Sequence, residues 1–244
     1  MKLTNKNAVI LAVVFFIIYS VFVIKVNYSV ENYSDIIVAT TFFFTLFTGF
    51  FITRQNDRYS NIIDTIAERD ANFSFLYRVF GMVPRIQSEI REAIRNHYTK
   101  ILESKDWAYN EFHPSNTITS ITKSMSSLTA EEKEVIDGHS PFDGIWGAVQ
   151  ILQGSRKKII ALYEQGLVGF QWAIIYILAL LLVVSFNLVP TTSLFVEVLK
   201  ILFGTAVFIS IVLLHQLDSL TLFGEHAGEQ SARDIFSIID EKVN

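Results

Sequence analysis

The chain has 244 residues, of which 51% are hydrophobic and 21 are phenylalanine, with mean hydropathy +0.38 and a formal net charge of −4. This is more apolar than an ordinary soluble domain, and the mixed, slightly acidic charge lacks the basic face that nucleic-acid binding requires. With no cysteine, a disulfide framework, a thiol nucleophile and a thiolate metal site are all excluded.

The apolar residues are clumped into four windows, each near the ~20 residues that cross a hydrocarbon core. The first, about 7–26, reads "NAVILAVVFFIIYSVFVIKV" after Lys2 and Lys6. Its length, and the lack of a small-residue cleavage site in "KVNYSVENYS", predict an uncleaved anchor rather than a signal peptide. The second, about 35–53, carries Phe42, Phe43, Phe44, Phe47, Phe50 and Phe51, with Thr41, Thr45 and Thr48 on one stripe. From Arg54 through Arg78 there is no Pro or Gly, and Tyr59, Ile62, Ile63, Ile66, Phe73 and Leu76 recur at helical spacing. A single helix is therefore predicted from Asp35 to about Phe80, roughly 65 Å long at 1.5 Å per residue. "GMVP" at Gly81–Pro84 supplies the stop, because Pro disfavours the helical conformation in the residue before it. The apolar stripe Ile62, Ile66, Phe73 needs cover, and other copies of the chain are expected to provide it.

Next, Ile86, Ile90, Ile94, Tyr98, Ile101 and Trp107 form the apolar stripe of a predicted helix over about 85–110. "SNTITSITKSMSSLT" after Pro114, rich in Ser and Thr, reads as a loop or frayed segment. Thr129 and Glu132 have capping-box spacing and open a short helix that Gly138 can close. A last helix before the membrane is expected over 141–164, followed by apolar windows at about 167–186 and 194–217. The expected fold class is thus an all-α integral membrane protein with four transmembrane helices and long cytoplasmic helical extensions. Its parts are a transmembrane hairpin over 1–54, a cytoplasmic helical region over 55–163, a second hairpin over 164–217 and a cytoplasmic tail over 218–244.

Orientation follows from the positive charges beside the membrane ends. Lys2 and Lys6, Arg54 and Arg58, and Arg156, Lys157 and Lys158 can all share one side, which places both termini and the insert in the cytoplasm. The last cluster also suits contact with anionic lipid headgroups. Asp57 and Asp64 can pair along the helix with Arg54 and Arg58, so local salt bridges suffice for most of this charge. His215 and Asp218, at i, i+3 on the cytoplasmic end of the last span, read as an interfacial pair, with a gate or proton site as the rival reading. Glu197 and Lys200, at the same spacing near its outer end, either pair at the membrane surface or face a polar vestibule.

No HExxH-like pair, no Gly-rich phosphate loop and no GxSxG stands in the chain. We therefore expect no enzyme, no metal site and no cofactor. An ion channel and a non-conducting membrane scaffold or sensor whose cytoplasmic helices bind a partner protein both remain open.

"TRQNDRY" directly after an aromatic membrane helix is similar to the end of the second membrane helix in bestrophins. The chain more closely resembles a bacterial family of four-span proteins called bestrophin-like. The stretches that carry the resemblance are "TRQNDRYSNIIDTIAERDANFSFLYR", "IREAIRNHYTKILESKDW", "SRKKIIALYEQGLVGFQW" and "LDSLTLFGEHAGEQSARDIF". Tyr59–Ser60 stand where bestrophins carry the tryptophan pair of "DRWWEAR", and the tail has no acidic calcium clasp, so ion selectivity and calcium gating are not carried over. The resemblance implies a homo-oligomeric channel of the bacterial inner membrane, a pentamer, with the second membrane helix of each subunit around a central pore. Aligning Thr53–Arg54 on the corresponding pair of some bestrophins places Val38, Phe42 and Leu46 at a hydrophobic neck. Arg54, Arg58 and Tyr59 then stand at the cytoplasmic pore mouth. The stripe Thr41, Thr45, Thr48 is the rival pore lining, and a wholly lipid-facing aromatic helix is the third reading. The partners expected are further copies of the chain, the lipid bilayer and permeating ions.

Overall fold

The structure is a computed structural model and describes residues 14, 16–21, 33–104, 116–138, 142–190, 193–221 and 229–240. Their elements are all helices: α1 (Tyr33–Val79), a 3-10 turn (Phe80–Met82), α2 (Pro84–Ser104), α3 (Thr117–Ser126), α4 (Ala130–Asp137), α5 (Phe142–Glu164), α6 (Gly169–Asn187), α7 (Leu194–Asp218) and α8 (Glu229–Ile239). Among the described residues, three helices are long and apolar enough to cross a membrane: α1, α6 and α7. This is the pattern of a multi-pass membrane protein. The expected first span at 7–26 lies largely outside the described residues, of which 14 and 16–21 are helical.

The chain divides into two compact units, one of residues 1–59 with 166–225 and the other of 60–165 with 226–244. In the first, Phe44, Ala179, Leu182 and Val207 form one buried cluster, and Phe51, Ile175 and Leu214 form another. Lipid tails are as apolar as these side chains, so close packing and interhelical hydrogen bonds hold such helices together rather than the hydrophobic effect. Thr40 Oγ1, which also bonds back to the Ile36 carbonyl, lies 3.4 Å from Ser185 Oγ of α6. Asn187 Nδ2 donates to the Tyr19 hydroxyl at 3.0 Å. The Tyr19 ring lies so close over Gly204 that any Cβ at that position would overlap it. Lys200 is buried, and its Nζ donates to the Val189 carbonyl.

In the second unit α1 buries Ile62, Ile66, Phe73 and Leu76, and α2 buries Ile86, Ile90, Ile94 and Tyr98. The stripe Ile62, Ile66, Phe73 is therefore covered inside the protomer and does not wait for another copy. It is closed by its own chain, with the Phe73 ring 5.3 Å from His97 and 5.9 Å from Tyr98. Helix α8 also packs on α2, so the end of the chain joins the unit of the insert.

The Ser/Thr-rich segment is a helix, α3, and not a loop. Ser and Thr are poor helix formers because their hydroxyls compete for backbone groups. Here Thr117, Ile121, Ser124 and Met125 fall on one buried face against α2 and α5, and that packing outweighs the propensity. The hydroxyls are absorbed locally: Thr122 and Ser126 bond back to carbonyls one turn earlier, and Ser124 donates to Glu89 Oε2 at 2.5 Å. The capping box forms as its spacing predicts, with Glu132 N donating to Thr129 Oγ1 at 3.2 Å and Thr129 N to Glu132 Oε2 at 2.8 Å. Gly138 is the C-cap of α4.

His97 is buried, with Nδ1 3.4 Å from Thr117 Oγ1. Burial holds its pKa well below the usual imidazole value, and the positive charges of Arg69, Lys100 and Arg156 push it the same way. Its neutral form is thus the folded form. As pH falls below about 6.5, the unfolded chain takes up a proton that the folded chain does not, and stability drops by about 1.4 kcal/mol per pH unit. Thermal unfolding of detergent-purified protein should therefore shift to lower temperature between pH 6.5 and 5, with a shallower slope in His97→Gln. Equal slopes in the two proteins would show that His97 is not the group responsible.

Candidate functional site

The outward surface of α1 separates the two candidate pore faces. Val38, Phe42 and Leu46 recur every four residues and are 66%, 60% and 54% exposed. Thr45, Gly49 and Thr53 are exposed on the adjoining line, so this face interleaves large apolar with small and hydroxyl side chains. Beside that face α1 also exposes Phe43 and Phe50, and the outward face of α6 carries Phe170, Tyr176, Ile177, Leu180, Leu181 and Val184. Along the threonine stripe, Thr45 is exposed, Thr41 is half-buried and Thr48 is only 4% exposed. The hydroxyls of Thr41 and Thr48 are buried with no hydrogen-bond partner among the described residues, so neither bonds back as Thr40 does. Packing of Phe44 and Phe51, on the same side of the helix as Thr48, turns this stripe inward.

Below this face the helix reaches a polar node. Arg58 is 5% exposed; its Nη1 donates to Gln55 Oε1 at 2.9 Å and to the Asp218 carbonyl at 3.0 Å, and lies 3.6 Å from Asp218 Oδ1. The Asp218 carboxylate also accepts from Leu167 N at 2.7 Å and from Trp172 Nε1 at 3.2 Å. One carboxylate thus ties the middle of α1 to the start of α6 and the end of α7. Gly166 is the close approach that permits this, since a Cβ there would stand 3.3 Å from Asp218 Oδ1.

Two local rules are broken at this node. An aspartate in the last turn of a helix faces the negative end of the helix dipole. Leu220 then adopts φ 56°, a left-handed conformation that usually falls to glycine. Both are compensated. Arg58 neutralises the aspartate and caps its carbonyl. The turn closes with Thr221 N on the Gln216 carbonyl at 3.0 Å and Leu220 N on the Leu217 carbonyl at 3.3 Å, while the Leu220 side chain is buried.

Of the residues expected at a pore mouth, Arg54 is exposed, Tyr59 half-buried and Arg58 buried in the node. Asp218 does not pair with His215. Its carboxylate goes to Arg58, and the His215 ring meets Trp172 edge-on at 5.8 Å. Gln55 and Trp172 escaped sequence reasoning. The available signal was an acid in the last turn of an apolar helix, a placement that requires a cation from elsewhere. Among the described residues no group of three His, Asp or Glu side chains is placed to hold a metal ion. Comparison with protein-family models, curated proteins and solved structures gives no match.

Proposed function

We propose that this protein is a homo-oligomeric ion channel of bestrophin-like build in the bacterial inner membrane, with α1 of each subunit facing a central pore. The observation that carries the reading is the uncovered line Val38, Phe42, Leu46 on α1, flanked by Thr45, Gly49 and Thr53, while Thr48 of the rival stripe is used up inside the protomer. An apolar ring of this kind gates by dewetting, because it offers ions no replacement for lost hydration. Arg54 is exposed just past the apolar stretch and stands at the mouth; Arg58 holds the helix in place through Asp218. Five subunits around the pore, a fourth span at 7–26 and both termini in the cytoplasm complete the proposal.

The test is ion flux from liposomes holding purified protein, run with paired cation and anion gradients, beside light scattering corrected for detergent. Flux together with an oligomeric mass is expected. A sealed liposome would leave the non-conducting scaffold, and a monomeric mass would remove the central pore. Topology is checked separately in this cysteine-free chain. A cysteine replacing the exposed Ser126 should react with an impermeant maleimide only after the membrane is opened. Labelling of intact cells at that position would invert the orientation.

A further inference from the structure

The unit of residues 60–165 and 226–244 holds a cleft of about 430 Å3 with an unusual wall. Arg69 reaches it from α1, and Arg156 and Lys157 from α5. No carboxylate stands among its described lining residues. Arg69 is buried and is oriented by its Nε bond to Asp70 Oδ1 at 3.2 Å, a carboxylate that also accepts from Tyr98 and Ser231. Arg156 is half-buried and Lys157 exposed, so the cations grade from the floor to the rim.

One further feature has the same sign. The first turn of α3, Thr117 to Thr119, forms part of the wall, and its N-cap Asn116 makes no side-chain capping bond. The positive end of that helix dipole adds to the field of the cations. His97, also in the wall, is held neutral by burial first and then by the nearby charges of Arg69, Lys100 and Arg156. The remaining surface, including Phe73, Leu152 and Ile160, is apolar. A cleft of this volume lies within the roughly 300–1,000 Å3 range of small-ligand sites, where apolar walls supply area and a few polar groups fix orientation.

We propose that this cleft binds a phosphomonoester, its phosphate held by Arg156, Lys157 and Arg69 and its organic part laid against the apolar wall. A phosphate carries close to two negative charges and several strong acceptor oxygens, which matches convergent cations better than a single carboxylate does. The phosphate can come from a soluble metabolite or from a lipid headgroup, and the chemistry at the cleft is the same. This inference does not depend on conduction.

The experiment is calorimetric titration of the full-length protein in detergent at fixed ionic strength, with phenyl phosphate in one arm and short-chain phosphatidic acid in the other. Saturable binding is expected, weakened at least about tenfold (the effect of ~1.4 kcal/mol) in Lys157→Gln and in Arg156→Gln, and unchanged in Arg233→Gln, an exposed cation outside the cleft. Because Lys157 is exposed, its variant tests the site even if Arg156→Gln fails to fold. The bound phosphate should also raise the titration midpoint of His97, read by NMR of labelled histidine. Tighter binding of phosphatidic acid assigns the lipid source, and binding of phenyl phosphate alone assigns the soluble one. No saturable binding in either arm, or binding unaltered in both cleft variants, overturns the proposal.

Discussion

Replacing Phe42 and Leu46 together by alanine is expected to raise basal ion flux on the order of tenfold, the effect of a barrier lower by about 1.4 kcal/mol. Both side chains are more than half exposed on the protomer, so their removal leaves no internal cavity and should leave the fold intact. What changes is the neck. A ring of phenylalanine and leucine keeps a narrow pore dry, and a ring of alanine widens it enough to hold water and carry hydrated ions. Thr45→Ala, on the adjoining exposed line, should alter flux less. Thr48→Val should act through helix packing, because its side chain lies within the protomer. Liposome flux at matched protein incorporation separates these outcomes. An unchanged rate in the double alanine variant, with a large change at Thr41 or Thr45, would transfer the pore to the threonine stripe. No change at either face would leave α1 facing lipid.

Asp218→Ala is expected to be the most damaging single substitution in the membrane unit. It strips the carboxylate from a buried guanidinium and leaves the Leu167 amide and the Trp172 indole N–H without their acceptor. Removing one partner of a buried ion pair costs about 3–5 kcal/mol, mostly from the uncompensated charge that remains. In a chain of this size that is a loss on the order of 10 °C in thermal midpoint. Arg58→Met should cost less, because the aspartate keeps two N–H donors and sits nearer to solvent. The double variant should be less destabilised than the sum of the two single ones, which is the signature of direct coupling. Thermal scans of the three variants in one detergent measure this. Strict additivity would mean that the two side chains do not stabilise each other, and the node would lose its role as the tie between the helices.

The difference between these two predictions reflects where each residue's fate is encoded. The opening of α4 was legible as Thr129 and Glu132, because a capping box is complete within four residues. The long α1 was equally legible, with its run free of Pro and Gly to Arg78 and its end at Gly81–Pro84, since helix continuation and termination are local events. The apolar spans at α6 and α7 could be read from window length alone, because the thickness of the hydrocarbon is fixed from outside the protein. Of the candidate site, the four-residue spacing of Val38, Phe42 and Leu46 was visible as periodicity on a helix.

Tertiary structure alone decided which face of α1 is left open. Periodicity defines stripes but not which stripe meets α6 and α7, and it took the packing of Phe44 and Phe51 to turn Thr48 inward. The stripe Ile62, Ile66, Phe73 invited a second copy in the sequence, and the chain's own helices cover it in the fold. The helix α3 exists because Ile121 and Met125 are buried, an energy that composition does not report, whereas the poor propensity of Ser and Thr is plain in the sequence. Arg58 and Asp218 lie 160 residues apart, and nothing within a turn of either residue names the other. Local chemistry determines helices, caps and spans because its range is three or four residues. The partner of a buried charge is determined only by the topology that brings residues from distant helices together.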